Sequence, residues 1–106
     1  MDLIKSLNEN TGVRPEKFFK NTLFRSDAML VGLNCLEAGQ VQSAHSHPDQ
    51  DKFYFVVEGT GHFLLGEKHW LAATGDIVWA PAGLRHGVEN RGDKRLTLLI
   101  GIAPSP

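Results

Sequence analysis

Turn-forming residues punctuate this chain at intervals of about eight to twelve residues, and that spacing constrains its fold more than any other feature. Between the turns lie short apolar runs such as Met29–Leu36 and Phe53–Val57. None keeps a 3.6-residue apolar period over three helical turns. Short runs with regular turn signals predict strands packed as an all-β sandwich or barrel. Strands are predicted at 22–25, 29–36, 41–46, 53–58, 61–66, 68–72, 77–80, 86–90 and 95–103. Residues 1–10 are predicted as a short helical turn or an arm. The clearest hairpin signals are Glu58-Gly59-Thr60-Gly61, Gly66-Glu67 and Asn90-Arg91-Gly92-Asp93. Pro81-Ala82-Gly83 sets a fixed φ and then a permissive one, as a tight turn requires. Phe53–Val57 is apolar at consecutive positions, which predicts that both faces of its strand are covered.

At 106 residues, 42% of them hydrophobic, the chain has the size of one domain spanning 1–106 with one core. A net charge of -1, with lysines and arginines scattered, gives nothing to attract nucleic acid or an anionic membrane. No stretch approaches the roughly 20 apolar residues of a membrane-spanning helix. The segment from Met1 to Asn8 has no apolar leader core, so the cytoplasm is the expected location. The single cysteine, Cys35, excludes an internal disulfide and sits in an apolar run where a buried thiol is expected.

Two glycine-anchored segments carry the chemistry. The first runs from Gly39 through His45-Ser46-His47 to Gly59; the second runs from Gly75 through Pro81, Gly83 and His86 to Asn90. A His-x-His pair on a strand points both rings to one face. A third imidazole from a neighbouring strand completes one triangular face of a coordination sphere and leaves other positions open for water or substrate.

These segments resemble the paired motifs of the cupin superfamily. The first motif has the form G-x5-H-x-H-x3-4-E-x6-G and is matched at Gly39, His45, His47 and Gly59; the second, G-x5-P-x-G-x2-H-x3-N, is matched at Gly75, Pro81, Gly83, His86 and Asn90. The motifs cover 39–59 and 75–90, with a stretch of hairpin length between them. The resemblance implies a double-stranded β-helix, or jelly-roll, barrel. It also implies a divalent metal ion (Fe, Mn, Ni, Cu or Zn) on His45, His47 and His86, and a small-molecule ligand. Small cupins include dioxygenases, isomerases, epimerases and decarboxylases, and they commonly pair, so a homodimer is expected.

The first motif departs from the pattern at its acidic position. Seven residues before Gly59 stands Lys52, and a protonated lysine has no lone pair to offer a metal. Asp51, at the shorter spacing, is the candidate fourth ligand; Gln50 is another; three histidines with water, or no metal, are the remaining outcomes. On a regular strand Asp51 shares a face with Phe53 and Phe55, and Lys52 shares one with Tyr54 and Val56. Both faces are apolar, so the pattern does not choose. A Lys52 that enters the barrel is a candidate anchor for a carboxylated or phosphorylated ligand, with its pKa lowered by desolvation; otherwise it belongs to the rim. His62 and His69 match no motif position and are expected at the surface or rim. Trp70, Trp79 and Phe63 are expected in the core or an interface, Arg85 in solvent, and Asn90 in a turn where its side chain satisfies nearby backbone. Two functional classes stand side by side: a metal-dependent enzyme, and a non-catalytic module that binds a small molecule or metal. A structural, dimeric scaffold is a weaker third.

Overall fold

A computed structural model describes residues 2–106 and contains nine strands and one short 3-10 turn, Asn8–Asn10. The strands are β1 (Phe19–Arg25), β2 (Leu30–Leu36), β3 (Val41–His45), β4 (Asp51–Glu58), β5 (Thr60–Leu65), β6 (Lys68–Ala73), β7 (Ile77–Ala80), β8 (His86–Glu89) and β9 (Leu96–Ala103). All pair antiparallel. One sheet has the order β1-β2-β9-β4-β7 and the other β3-β8-β5-β6. This is the expected jelly roll. No helix among the described residues is long and apolar enough to cross a membrane.

Two strands begin at least two residues earlier than predicted. β1 starts at Phe19 because Phe19, Lys20 and Asn21 pair with Cys35, Asn34 and Leu33. Lys20 and Asn21 conceal that extension in sequence. β4 starts at Asp51, because Asp51 and Lys52 pair with Ala103 and Ile102 of β9.

Directly paired residues on neighbouring strands point to the same side of a sheet, so the register gives the inner face row by row. Leu30, Ile102, Lys52 and Ala80 form one row; Gly32, Ile100, Tyr54 and Val78 form the next. Tyr54, Val56, Leu96 and Leu98 from this sheet pack with Phe63 and Val88 from the other in a continuous apolar core. The opposite face of β4 is only half-covered: Phe53 and Phe55 pair with Trp79 and Ile77, which are 54% and 69% exposed. Of the three aromatic residues expected in a core or interface, Phe63 is buried, while Trp70 and Trp79 are exposed. Cys35 is buried, as expected of an inert thiol.

Candidate metal centre

The barrel interior brings His45, His47 and His86 together, with one nitrogen from each lying within 4.8 Å of the others. Ring centroids are 4.8 Å apart for His45–His47, 4.4 Å for His45–His86 and 5.5 Å for His47–His86. His45 ends β3 directly opposite His86, which opens β8.

A bulge aims the first of these rings. The β3–β8 register slips between Gln42 and His45, so strict alternation is broken and both residues reach the interior. Gly87 makes room for the displaced backbone: a Cβ there would lie 2.9 Å from the Gln42 carbonyl oxygen and 3.0 Å from Ala44 Cα. The two motifs are tied to each other by the Pro81–Gly83 turn. Gly83, at φ 83°, donates its N–H to the His47 carbonyl at 2.8 Å. Asn90 closes the second motif as expected. It is buried, its amide donates to the carbonyls of Leu36 and Lys94, both at 2.8 Å, and its oxygen accepts the Gly92 N–H at 3.0 Å.

Two of the rings are held in one tautomer by backbone carbonyls. His45 Nδ1 lies 2.8 Å from the Ser43 carbonyl, and His86 Nδ1 lies 2.9 Å from that of Leu84. A carbonyl only accepts, so each Nδ1 carries the proton and each Nε2 keeps a free lone pair. His86 Nε2 is buried and has no hydrogen-bond partner. An orphaned acceptor at that depth is costly unless something coordinates it. Burial, followed by the charge of His45 and then of Lys52, pushes His47 below the ordinary histidine pKa. His86 is pushed down chiefly by burial; its Leu84 hydrogen bond opposes this, and the charges of His45, Lys52 and His47 add to it. Both rings therefore stay neutral and available as donors near neutral pH. The donor set fits a divalent metal of the kind that imidazoles bind.

Asp51 and Gln50 are not brought to this cluster. Asp51 is exposed and its carboxylate accepts the Ala82 N–H at 2.9 Å, bracing the Pro81–Gly83 turn from outside. Gln50 donates its amide to the Pro104 carbonyl at 3.2 Å. Lys52 takes the inward position and is 3% exposed. Its ammonium sits over the Tyr54 ring, 4.5 Å from the centroid. Desolvation, with a smaller contribution from Lys20, lowers its pKa from 10.5 to about 8. Beneath it the Tyr54 hydroxyl donates to Gln42 Oε1 at 2.6 Å, and burial holds that phenol well above its usual pKa.

A cavity of about 280 Å³ opens beside the histidines, its walls including His45, His47, Lys52, Gln42, Asn34 and Lys20. Gln42, Asn34 and Lys20 were not singled out by sequence. Lys20 and Asn34 become legible only once β1 and β2 are paired in register, and Gln42 only once the bulge is known. His62 and His69 line a shallow groove on the outside of the four-stranded sheet instead, and Arg85 is exposed.

The cupin domain model matches residues 32–101. This chain belongs to the cupin family. An uncharacterized Streptomyces coelicolor protein is 34% identical over 80 residues, which is 76% of this chain and 75% of that protein. A tetracenomycin polyketide synthase protein of Streptomyces glaucescens is 26% identical over 69 residues, 65% of this chain, which spans about half of that relative (46%). Among solved structures, a Thermus thermophilus protein superimposes with a TM-score of 0.93 at 40% identity, covering 97% of this chain and 98% of that one.

Proposed function

We propose that this cupin holds a divalent metal ion on the Nε2 atoms of His45 and His86 and a ring nitrogen of His47 and uses the adjoining cavity to bind a small molecule at that ion. One observation carries the reading. His86 Nε2 is buried and unpartnered while its Nδ1 proton is already satisfied, so its lone pair is free to coordinate a metal. Three neutral donors leave open coordination positions, and an ion there supplies Lewis acidity toward a bound carbonyl or a site for oxygen, as in dioxygenase- or isomerase-like chemistry. The protein's own part is to fix the tautomers of His45 and His86 through Ser43 and Leu84 and to line the adjoining cavity. The likeness to a polyketide synthase protein suits a carbonyl-bearing ligand.

The second reading, a module that binds without turnover, is favoured by Lys52, which stands where the family pattern places a ligating carboxylate. Elemental mass spectrometry of untagged protein tests the metal. Near-stoichiometric metal that is lost in His86→Ala supports the centre, and its absence from wild type after reconstitution ends it. Oxygen uptake measured beside ligand-induced thermal shifts separates turnover from binding alone.

A further inference from the structure

The buried ammonium of Lys52 faces the cavity with no acidic side chain among the described residues in the wall to pair with it. The acidic side chains nearest in the chain and the sheets are exposed or engaged elsewhere, and Asp49 is exposed and lies outside the cavity wall. Asp51 is turned to Ala82, Glu58 accepts from the Thr97 hydroxyl, Glu37 pairs with Arg95, and Glu89 pairs with Arg91. Among the described residues no acidic side chain lines the cavity, whose second cation is Lys20 at its exposed edge. The main-chain carboxylate of Pro106, also in its wall, is the one anionic group there among the described residues, and the Arg25 guanidinium already engages it. The row neighbours of Lys52 on the inner face are Leu30, Ile102 and Ala80, none of which can pair with it. The Tyr54 ring offers a cation–π contact, which returns only part of what a desolvated ammonium costs. A metal on three neutral imidazoles would make the interior more positive still.

We propose that the ligand of this cavity is a small organic acid whose carboxylate pairs with Lys52, making position 52 the specificity determinant of the site. The inference rests on the metal reading above only for the other end of the ligand, which would reach the ion on His45, His47 and His86. A carboxylate fits better than a phosphate. The cavity holds one buried cation and no arginine among its lining residues, and a dianionic phosphate calls for several converging donors. The side-chain amide of Asn34, itself buried and in another part of the cavity wall, offers a partner to a second polar group of the ligand. The volume of about 280 Å³ lies at the lower limit of ligand pockets and restricts the acid to a few carbons.

The test is calorimetric titration of reconstituted protein with malonate, succinate and 2-oxoglutarate, beside malonamide, succinamide and inorganic phosphate. Metal content is measured on the same samples. The inference expects at least one acid to bind about 10-fold or more tightly than its amide or phosphate. Lys52→Gln should weaken that acid by about 10- to 100-fold, the worth of a charged hydrogen bond, and leave metal content and amide binding unchanged. Lys52→Met, which removes the charge at similar length, should behave alike, and circular dichroism establishes that both variants fold. Lys20→Gln should change affinity by only about 2-fold, because Lys20 is solvated. Acids that bind no better than amides, tighter phosphate binding, or a preference that survives in Lys52→Gln would each overturn the inference. Wild-type protein that takes up no metal yet keeps a Lys52-dependent preference for acids would instead remove the metal reading and leave the anchor standing.

Discussion

Replacing Lys52 with methionine should stabilise the ligand-free protein, and the size of the gain follows from where the ammonium sits. The folded state lowers the Lys52 pKa from 10.5 to about 8, with desolvation the main cause and Lys20 the second. At about 1.4 kcal/mol per pH unit, that drop corresponds to about 3 kcal/mol lost by keeping the proton on a buried amine. The Tyr54 face returns about 1 kcal/mol, so a methionine that fills the same space should gain about 2 kcal/mol at pH 7. For a domain of this size that raises Tm by roughly 8–12 °C. The pH dependence has a definite sign. The unfolded chain keeps the Lys52 proton up to 10.5 and the folded chain only to about 8. Between those values the unfolded state binds more protons, so stability rises with pH there, and below about 8 the cost is fully present. The groups facing Lys52 are Lys20 from β1, His47 and His86 across the cavity, and Tyr54 beneath it. The histidines titrate below this window and the Tyr54 phenol above it. Urea unfolding of wild type and Lys52→Met at pH 7, 8, 9 and 10 measures both effects. Wild type should gain on the variant as pH climbs above 8. A variant less stable than wild type at pH 7, with a difference that does not move with pH, would refute the reasoning.

Four further outcomes follow from the same geometry. His86→Ala should abolish stoichiometric metal uptake, measured by elemental mass spectrometry, while Asp51→Asn should leave it unchanged because that carboxylate is spent on the Ala82 N–H. Binding of the preferred acid should weaken as pH is raised through about 8 and Lys52 loses its charge, a fall that calorimetry of Lys52→Gln should not show. Asn90→Ala should cost about 2 kcal/mol in urea unfolding, since two carbonyls and one N–H lose their partner at a buried turn. The exposed apolar strip of Ile77 and Trp79, beside Phe53 and Phe55, should pair two copies of the chain; sedimentation should then show a dimer at micromolar concentration, and Trp79→Asp should shift it to monomer.

The parts of this molecule legible in sequence are those whose signal is local. Pro81, Gly83 and the spacing from Gly75 to Asn90 mark a turn, and the turn lies where they place it, bonded to the His47 carbonyl. The three histidines converge as their spacing implies, because each segment is short enough for turn geometry to fix where its rings arrive. The phase of β4 was not legible. Asp51 with Phe53 and Phe55, or Lys52 with Tyr54 and Val56, makes an equally apolar face. The choice is made by partners far away in the chain: Ile102 and Ile100 on one side, Ala80 and Val78 on the other. Gln42 was hidden by a bulge that no turn residue announces, its only trace being the crowding around Gly87. Lys20 carries no signal of its own in the sequence, because the extent of β1 is set by its pairing with β2 and not by its own composition.

One side chain therefore decides how charge is balanced in this barrel. A carboxylate at position 52 would neutralise part of a divalent ion's charge and occupy a coordination position, leaving the protein to complete its own site. Lysine does the reverse: it adds a positive charge, would leave a bound ion to three imidazole donors, and sets an unneutralised cation in the wall of the cavity that His45 and His47 also line. Burying that charge costs about 3 kcal/mol before the Tyr54 ring offsets part of it. The cost shrinks if the bound state contains an anion, because a charge pair in a low-dielectric interior attracts far more strongly than it would in water. The strain of an unpaired ammonium in the empty barrel and the selectivity of the filled one are then two consequences of the same register, the one that sets Lys52 between Ile102 and Ala80.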